Sequence, residues 1–155
     1  MKEIKLTRGC VALVDDEDFE YLSQWKWYAG GREGNIYARR SISKHKKILM
    51  HRLIMNTPDD MEVDHRDRNK LNNQRSNLRN CNHLQNMVNR EPEGASQYKG
   101  VSFAYRRGKK LIVSQIRIEG KSTHIGYFKT EEEAARRYNE KALELHGEFA
   151  YLNEL

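Results

Sequence analysis

The stretch that most constrains this chain lies between Val63 and Asn86. It contains Val63-Asp64-His65, then Asn69-Lys70-Leu71-Asn72-Asn73, Ser76-Asn77-Leu78-Arg79 and Gln85-Asn86. Eight asparagines fall between Asn69 and Asn89. Asparagine side chains bond to nearby backbone and compete with regular structure, so this density belongs to turns rather than to helix or strand interiors. Met61 to His65 reads as a short strand ending on an acid–imidazole pair, and Arg66 to Asn80 as polar loop. Asn82 with Gln85 three residues later has the pattern of a capping box. It predicts a helix from His83 to about Arg90, with Leu84, Met87 and Val88 as its apolar stripe. Asn86 lies on the next angular sector, able to point back toward the end of the strand.

These residue types suit one kind of chemistry. Phosphodiester hydrolysis needs an activated water and stabilisation of charge on phosphate and leaving oxygens. Mg²⁺ takes oxygen ligands and is often held by one or two protein side chains. Asp64 supplies a charged oxygen and Asn86 a neutral carbonyl oxygen. A neutral imidazole at His65 can take a proton from water near neutral pH. Adjacent residues of an extended strand point in opposite directions, so Asp64 and His65 divide between metal and water only where the strand ends or twists. His51 has two readings, a phosphate contact or a packed residue at a helix start. His83 reads as an exposed first-turn residue, and Asp67, Asn69 and Asn73 as turn formers, with contact to a nucleic-acid backbone the second reading for Asn69 or Asn73.

Composition narrows the class. The chain has 155 residues, a net charge of +6, a pI of about 9.3 and a mean hydropathy of −0.94. That length suits one ordinary domain or two small ones, and a basic balance favours a polyanionic partner, nucleic acid first. No apolar run is long enough for a membrane span and no signal core opens the chain. Cys10 and Cys81 lack any Cys-x-x-Cys spacing, so neither a disulfide framework nor a structural zinc is expected. A cytoplasmic, nucleoid-associated protein of a bacterial or phage-infected cell is the expectation, with no obligate protein partner.

Before the central stretch, Ile4–Thr7 alternates and Cys10–Val14 is a short apolar run. Asp15-Asp16-Glu17-Asp18 offers an N-cap and an acidic first turn for a helix through Trp25, with Phe19 and Leu22 on one face. Gly30-Gly31 and Gly34-Asn35 mark a turn, and Ile36–Arg40 and Lys47–Met50 read as a strand pair. Trp25, Trp27 and Tyr28 read as core packing rather than base stacking. A short helix follows from His51 to near Pro58.

After it, Glu91-Pro92-Glu93-Gly94-Ala95-Ser96 reads as a linker. The domains are expected at 1–92 and 97–155, with 93–96 between them. Strands are predicted at 100–103, 111–118 and 124–128. A helix opens at Thr130 with acids in its first turn and carries Ala134, Ala135, Tyr138, Ala142 and Leu145 inward. Charge segregates here: Ser96–Lys129 has eight Lys or Arg against one Glu, whereas Thr130–Leu155 has three against seven. The fold expected is a three-stranded antiparallel sheet packed on one α-helix, with the basic face left for a ligand.

Two resemblances build on these motifs. Residues from about His51 to Asn89 resemble an HNH endonuclease of the phage and intron-encoded homing type. This implies an α+β fold with an N-terminal ββα-metal (HNH) nuclease domain. It also implies His65 as general base, Asp64 and Asn86 as ligands of one divalent metal (Mg²⁺, with Mn²⁺ substituting), and Asn77 bracing the loop and orienting the imidazole. Asn86 stands where other branches carry His. The N-terminal region, with Leu6-Thr7-Arg8-Gly9 and Val14-Asp15-Asp16-Glu17, also looks like the leader of that branch.

Residues from about Gln97 to Asn153 resemble the Apetala-two/ethylene-response-factor DNA-binding domain. The motifs are Tyr98-Lys99-Gly100-Val101, Ser114-Gln115-Ile116-Arg117, Ile125-Gly126-Tyr127-Phe128 and Glu132-Glu133-Ala134-Ala135-Arg136-Arg137-Tyr138. This resemblance implies a sheet that reads double-stranded DNA through Lys99, Arg106, Gln115, Arg117 and His124. Ile112 departs from the Trp usual there, and Ser102 and Ser122 from Arg, so no target sequence carries over. The combined expectation is a metal-dependent DNA endonuclease of homing or nicking type. The alternatives are a non-catalytic DNA-binding regulator on a degenerate nuclease scaffold and an RNA-binding protein.

Overall fold

The computed structural model describes residues 1–155. It contains α-helices and several small antiparallel sheets, divided into two compact units, Met1–Asn86 and Met87–Leu155. No helix is long and apolar enough to cross a membrane.

In the first unit, β1 (Lys2–Lys5) pairs with β2 (Val11–Val14), and α1 (Asp16–Ser23) follows. A three-stranded sheet, β3 (Tyr28–Arg32), β4 (Asn35–Ser41) and β5 (Lys47–Leu49), leads into the short helix α2 (Met50–Ile54). Then come β6 (Glu62–His65), β7 (Leu78–Cys81) and α3 (His83–Val88). One apolar core joins them: Val14, Leu22, Trp27, Met50, Val63 and Leu78 all belong to it. The N-terminal strands are therefore part of the same folded body as the β6–β7 hairpin. Trp27 is buried there with its indole N–H donated to the Leu22 carbonyl at 2.9 Å, so its polar atom carries no unsatisfied cost. Trp25 packs against the core edge, with the Arg40 guanidinium 3.9 Å from its ring centroid.

Two expectations about this unit change. Leu78 to Asn80, expected as loop, lie in strand β7, antiparallel to β6. Arg79 and Asn80 have little intrinsic strand preference; pairing with β6 and burial of Leu78 and Cys81 decide the conformation. Asp15 occupies the N-cap of α1, but its side chain makes no cap bond. Its carboxylate instead accepts from the Arg75 backbone N–H at 2.8 Å and the Gln74 amide at 3.2 Å.

In α3 the reciprocal capping box is present: Asn82 N–H donates to Gln85 Oε1 at 2.9 Å, and Gln85 N–H to Asn82 Oδ1 at 2.8 Å. The expected apolar stripe is not buried; Leu84 is exposed. The division between the units falls inside this helix, ahead of segment 93–96.

The second unit holds β8 (Val101–Arg106), β9 (Lys109–Ile118) and β10 (Lys121–Phe128) in the order β10-β9-β8, with α4 (Glu131–His146) on one face. The Thr130 hydroxyl caps α4 by accepting from Glu133 N–H at 3.1 Å. Val101, Ile112 and Phe128 pack against Ala134 and Ala135, and Ile116 against Tyr138 and Ala142. The small alanines let the helix lie close on the sheet. Gly100 fixes the entry to β8: its φ is +77°, and an added Cβ would lie 2.0 Å from the Tyr138 ring. Gly100→Ala therefore meets both a disfavoured backbone region and a buried ring. It is expected to destabilise this unit by about 3 kcal/mol, read as a lowered urea midpoint with Gly108→Ala, whose Cβ meets nothing, as the comparison.

Candidate active site

The β6–β7 hairpin sets the site. Its register places Asp64 opposite Arg79 and His65 opposite Leu78. Side chains alternate along a strand, so Glu62 and Asp64 share one face, and Val63 and His65 the other. The second face is the core face, because Val63 lies in the apolar core. His65 and Asp64 are both fully buried.

Around His65 three rings meet. The His51 ring from α2 lies edge-on to it, with centroids 5.1 Å apart, and the Tyr37 ring from β4 is 6.3 Å away. His65 Nε2 lies 3.4 Å from Asn73 Oδ1. Burial, followed by the charge of Lys70, lowers the His65 pKa to about 4; the Asn73 contact, Asp67 and Asp64 oppose this. Burial, followed by His65 itself and then nearby cations including Arg39, lowers His51 to about 3. Both imidazoles are neutral at pH 7, the form in which an imidazole accepts a proton.

On the opposite face, Arg79 Nε and a terminal guanidinium nitrogen both donate to Asp64 Oδ2, at 2.8 and 2.6 Å. This is a buried pair, and losing either partner would strand a charge away from water. Glu62, two residues before Asp64, accepts from the Asn86 amide nitrogen through Oε2 and contacts His83 Nδ1 through Oε1 at 2.9 Å. Its hold on the nitrogen leaves the Asn86 carbonyl oxygen as the atom able to ligate a cation. Glu62, Asp64 and Asn86 thus offer carboxylate and amide oxygens, the donor set that hard divalent cations take.

The loop between the strands is held from within and from outside. Asn77 donates to Asp67 Oδ1 at 2.9 Å and to the Asn72 carbonyl at 2.8 Å, while its Oδ1 accepts from Asp67 N–H. Asn77 braces the loop, and the asparagine touching the imidazole is Asn73. From outside, Leu13 of β2 exchanges backbone bonds with Leu71 and Asn73, each at 2.8 Å. Arg75 holds both oxygens of Asp18, at 2.8 and 2.7 Å. The acidic group Asp15, Glu17 and Asp18 is clustered closely enough to suggest a cation site, but Gln74 and Arg75 engage it. Arg52 adds a further tie, donating to the carbonyls of Met61 and Pro58 ahead of β6.

In the second unit, Arg106, Gln115, Arg117 and His124 lie on the sheet face away from α4. The register pairs Gln115 with His124 and Arg117 with Ser122, while the neighbouring Ile116 faces the helix. Ser122 donates to Gln115 Oε1 at 3.0 Å, and the His124 and Tyr127 rings are 4.7 Å apart. Lys99 lies elsewhere. Its ammonium donates to the carbonyls of Val88 and Arg90 and sits over the Tyr151 ring.

The residues that sequence reasoning passed over are Glu62, Arg79 and Asn73. Glu62 was legible as the period-two neighbour of Asp64. Arg79 became a partner of Asp64 only through the pairing of β7.

Comparison with known proteins agrees with the hairpin. The model of a family described as HNH endonuclease matches residues 56–88. An HNH endonuclease of Acanthamoeba polyphaga mimivirus, itself uncharacterized, is 35% identical over 149 residues, covering 96% of this chain and 77% of the relative. This chain belongs to the HNH endonuclease family. It is therefore a nuclease, a hydrolase of phosphodiester bonds, and the family assignment points to DNA as substrate. No solved structure matches the chain.

The neutral, buried histidines make this HNH protein acid-sensitive. Each has a folded pKa below the unfolded value of 6.5, so the unfolded chain binds protons first as pH falls. Stability is full above pH 6.5, declines below it, and levels off near the folded values of 3 to 4. His51 alone contributes a loss of about 2 kcal/mol by pH 5. Urea midpoints at pH 7.5, 6 and 5 should fall steeply in the wild type and less steeply in His51→Gln.

Proposed function

We propose that this HNH nuclease is a divalent-metal-dependent DNA endonuclease of homing or nicking type, targeted by its C-terminal sheet. The observation that carries the reading is the neutral His65 imidazole on a strand whose neighbouring residue, Asp64, is a buried carboxylate clamped by Arg79. His65 takes the proton from the attacking water. Asn73 and the packed rings of His51 and Tyr37 limit how the imidazole can turn. Arg79 fixes the orientation of the Asp64 carboxylate, and Glu62 fixes the Asn86 amide. Asp64 and Asn86 are the residues that hold the metal, Mg²⁺ by preference. When bound, the cation supplies positive charge for the phosphate and the leaving 3′ oxygen. Cleavage then yields 5′-phosphate and 3′-hydroxyl ends.

The second unit supports recognition of duplex DNA. Its open face gathers Arg106, Gln115, Arg117 and His124, and its resemblance to the Apetala-two/ethylene-response-factor domain makes the sheet the reading element. Arg117 suits bidentate bonding to guanine, Gln115 to adenine, and Arg106 a phosphate. Lys99, the other residue that the resemblance assigns to the DNA, has its ammonium on the carbonyls of Val88 and Arg90. Residues 93–96 join the nuclease and reading domains.

His65→Ala is expected to abolish cleavage and leave DNA binding near normal; cleavage at the wild-type rate would remove His65 from the chemistry. EDTA should stop the wild-type reaction, and Mg²⁺ or Mn²⁺ restore it. Arg117→Ala should weaken binding to the preferred site by about 1–3 kcal/mol. Binding left intact on every duplex would take Arg117 out of the reading face.

A further inference from the structure

The catalytic unit carries a cationic surface of its own. Between Glu33 and Asp59 the chain has six Lys or Arg and no acidic residue. The β3–β4–β5 sheet sorts part of this charge. Ala38 and Ile48 face the core. Alternation from them puts Tyr28 and Arg32 of β3, Tyr37 and Arg39 of β4, and Lys47 of β5 on the outer face. One cation thus stands on each of three adjacent strands, and none of the three makes an ion pair. Surface cations on folded proteins are commonly interspersed with acids, so an acid-free face of this kind suits a polyanion.

Arg39 shows that this face is shaped as well as charged. Its side chain lies across Gly30, where an added Cβ would come within 2.6 Å of Arg39 Cδ and 3.1 Å of Nε. Its guanidinium stands 5.9 Å from the Tyr37 ring centroid, and the Tyr37 ring lies 6.3 Å from that of His65. Arg39 Nε is buried with no hydrogen-bond partner. Nε itself is closed to solvent, but the terminal nitrogens of the same guanidinium make no hydrogen bond within the chain and remain for an arriving anion oxygen. The Arg39 guanidinium and the His65 ring thus both neighbour the Tyr37 ring.

We propose that the outer face of the β3–β4–β5 sheet binds the sugar–phosphate backbone of duplex DNA. Arg39 seats a phosphate beside the reacting one, and Arg32 and Lys47 hold flanking phosphates. The proposal rests on the nuclease reading above and adds a binding surface inside the catalytic unit. Backbone contacts give register without sequence information, so this face positions the scissile bond while the second unit chooses the site.

The test uses the full chain and a 30-base-pair duplex of arbitrary sequence, in EDTA, with anisotropy followed across a salt series. Each lost phosphate contact lowers the slope of log K against log salt by about 0.9. Arg39→Gln should reduce the slope by about one, and the Arg32→Gln, Arg39→Gln, Lys47→Gln triple variant by about three. Arg39→Lys, which keeps the charge, should retain most of the slope and guards against a folding defect. Lys5→Gln, on β1, should leave it unchanged. A triple variant with the wild-type slope overturns the proposal, as does an equal loss in Lys5→Gln. Single-stranded RNA competing as well as duplex DNA, with the same dependence on Arg39, would also overturn it. Because binding is read without metal, failure of the nuclease reading is seen separately, as a wild type that never cuts while the slopes still differ.

Discussion

The site depends on the antiparallel pairing of β6 with β7. Pairing holds β6 extended, and an extended strand must send adjacent side chains to opposite sides. Asp64 and His65 are neighbours in sequence yet enter two different environments. One contains Arg79, and its strand face is shared with Glu62, which holds Asn86; the other contains Asn73, His51 and Tyr37. The division puts a buried carboxylate and a neutral imidazole on opposite sides of one strand. A one-residue slip would exchange the two faces and place a carboxylate in the apolar core.

Such a hairpin is too short to hold itself, because an isolated two-stranded ribbon is marginal in water. Its loop is therefore fixed by distant parts of the chain. The backbone of Leu13 pairs with Leu71 and Asn73, and Asp15 and Asp18 hold Gln74 and Arg75. These bonds explain why the N-terminal strands and helix share one core with the hairpin. They also explain why the acids at the start of α1 serve the loop more than the helix dipole. Asparagines inside the loop complete the restraint, since Asn77 satisfies Asp67 and Asn72 at once.

The second unit uses a simpler principle. Alanines on α4 permit close approach to Val101 and Ile112, and Gly100 clears space for Tyr138. Apolar residues are drawn to one face of the sheet, leaving Arg106, Gln115 and Arg117 together on the other. In the first unit the same alternation collects Arg32, Arg39 and Lys47 outside the β3–β4–β5 sheet. Both cationic faces follow from this alternation.

By itself the sequence determined the local elements whose signals are complete within a few residues. The Asn82–Gln85 capping box, the Thr130 cap, the alternating strand 111–118 and the Asp64-His65 pair could all be read directly. So could the inward stripe of α4, because a 3.6-residue period marks its face without outside help. Only the tertiary structure decided which groups would meet. Leu78–Cys81 became a strand through its partner, Asn73 rather than Asn77 reached the imidazole, and Arg79 and Glu62 closed on Asp64 and Asn86. Lys99 went to backbone carbonyls because their positions are set by the fold around it. These contacts join residues 8 to 24 positions apart, and pairings at such separation are chosen by burial and charge neutralisation, which no local pattern encodes.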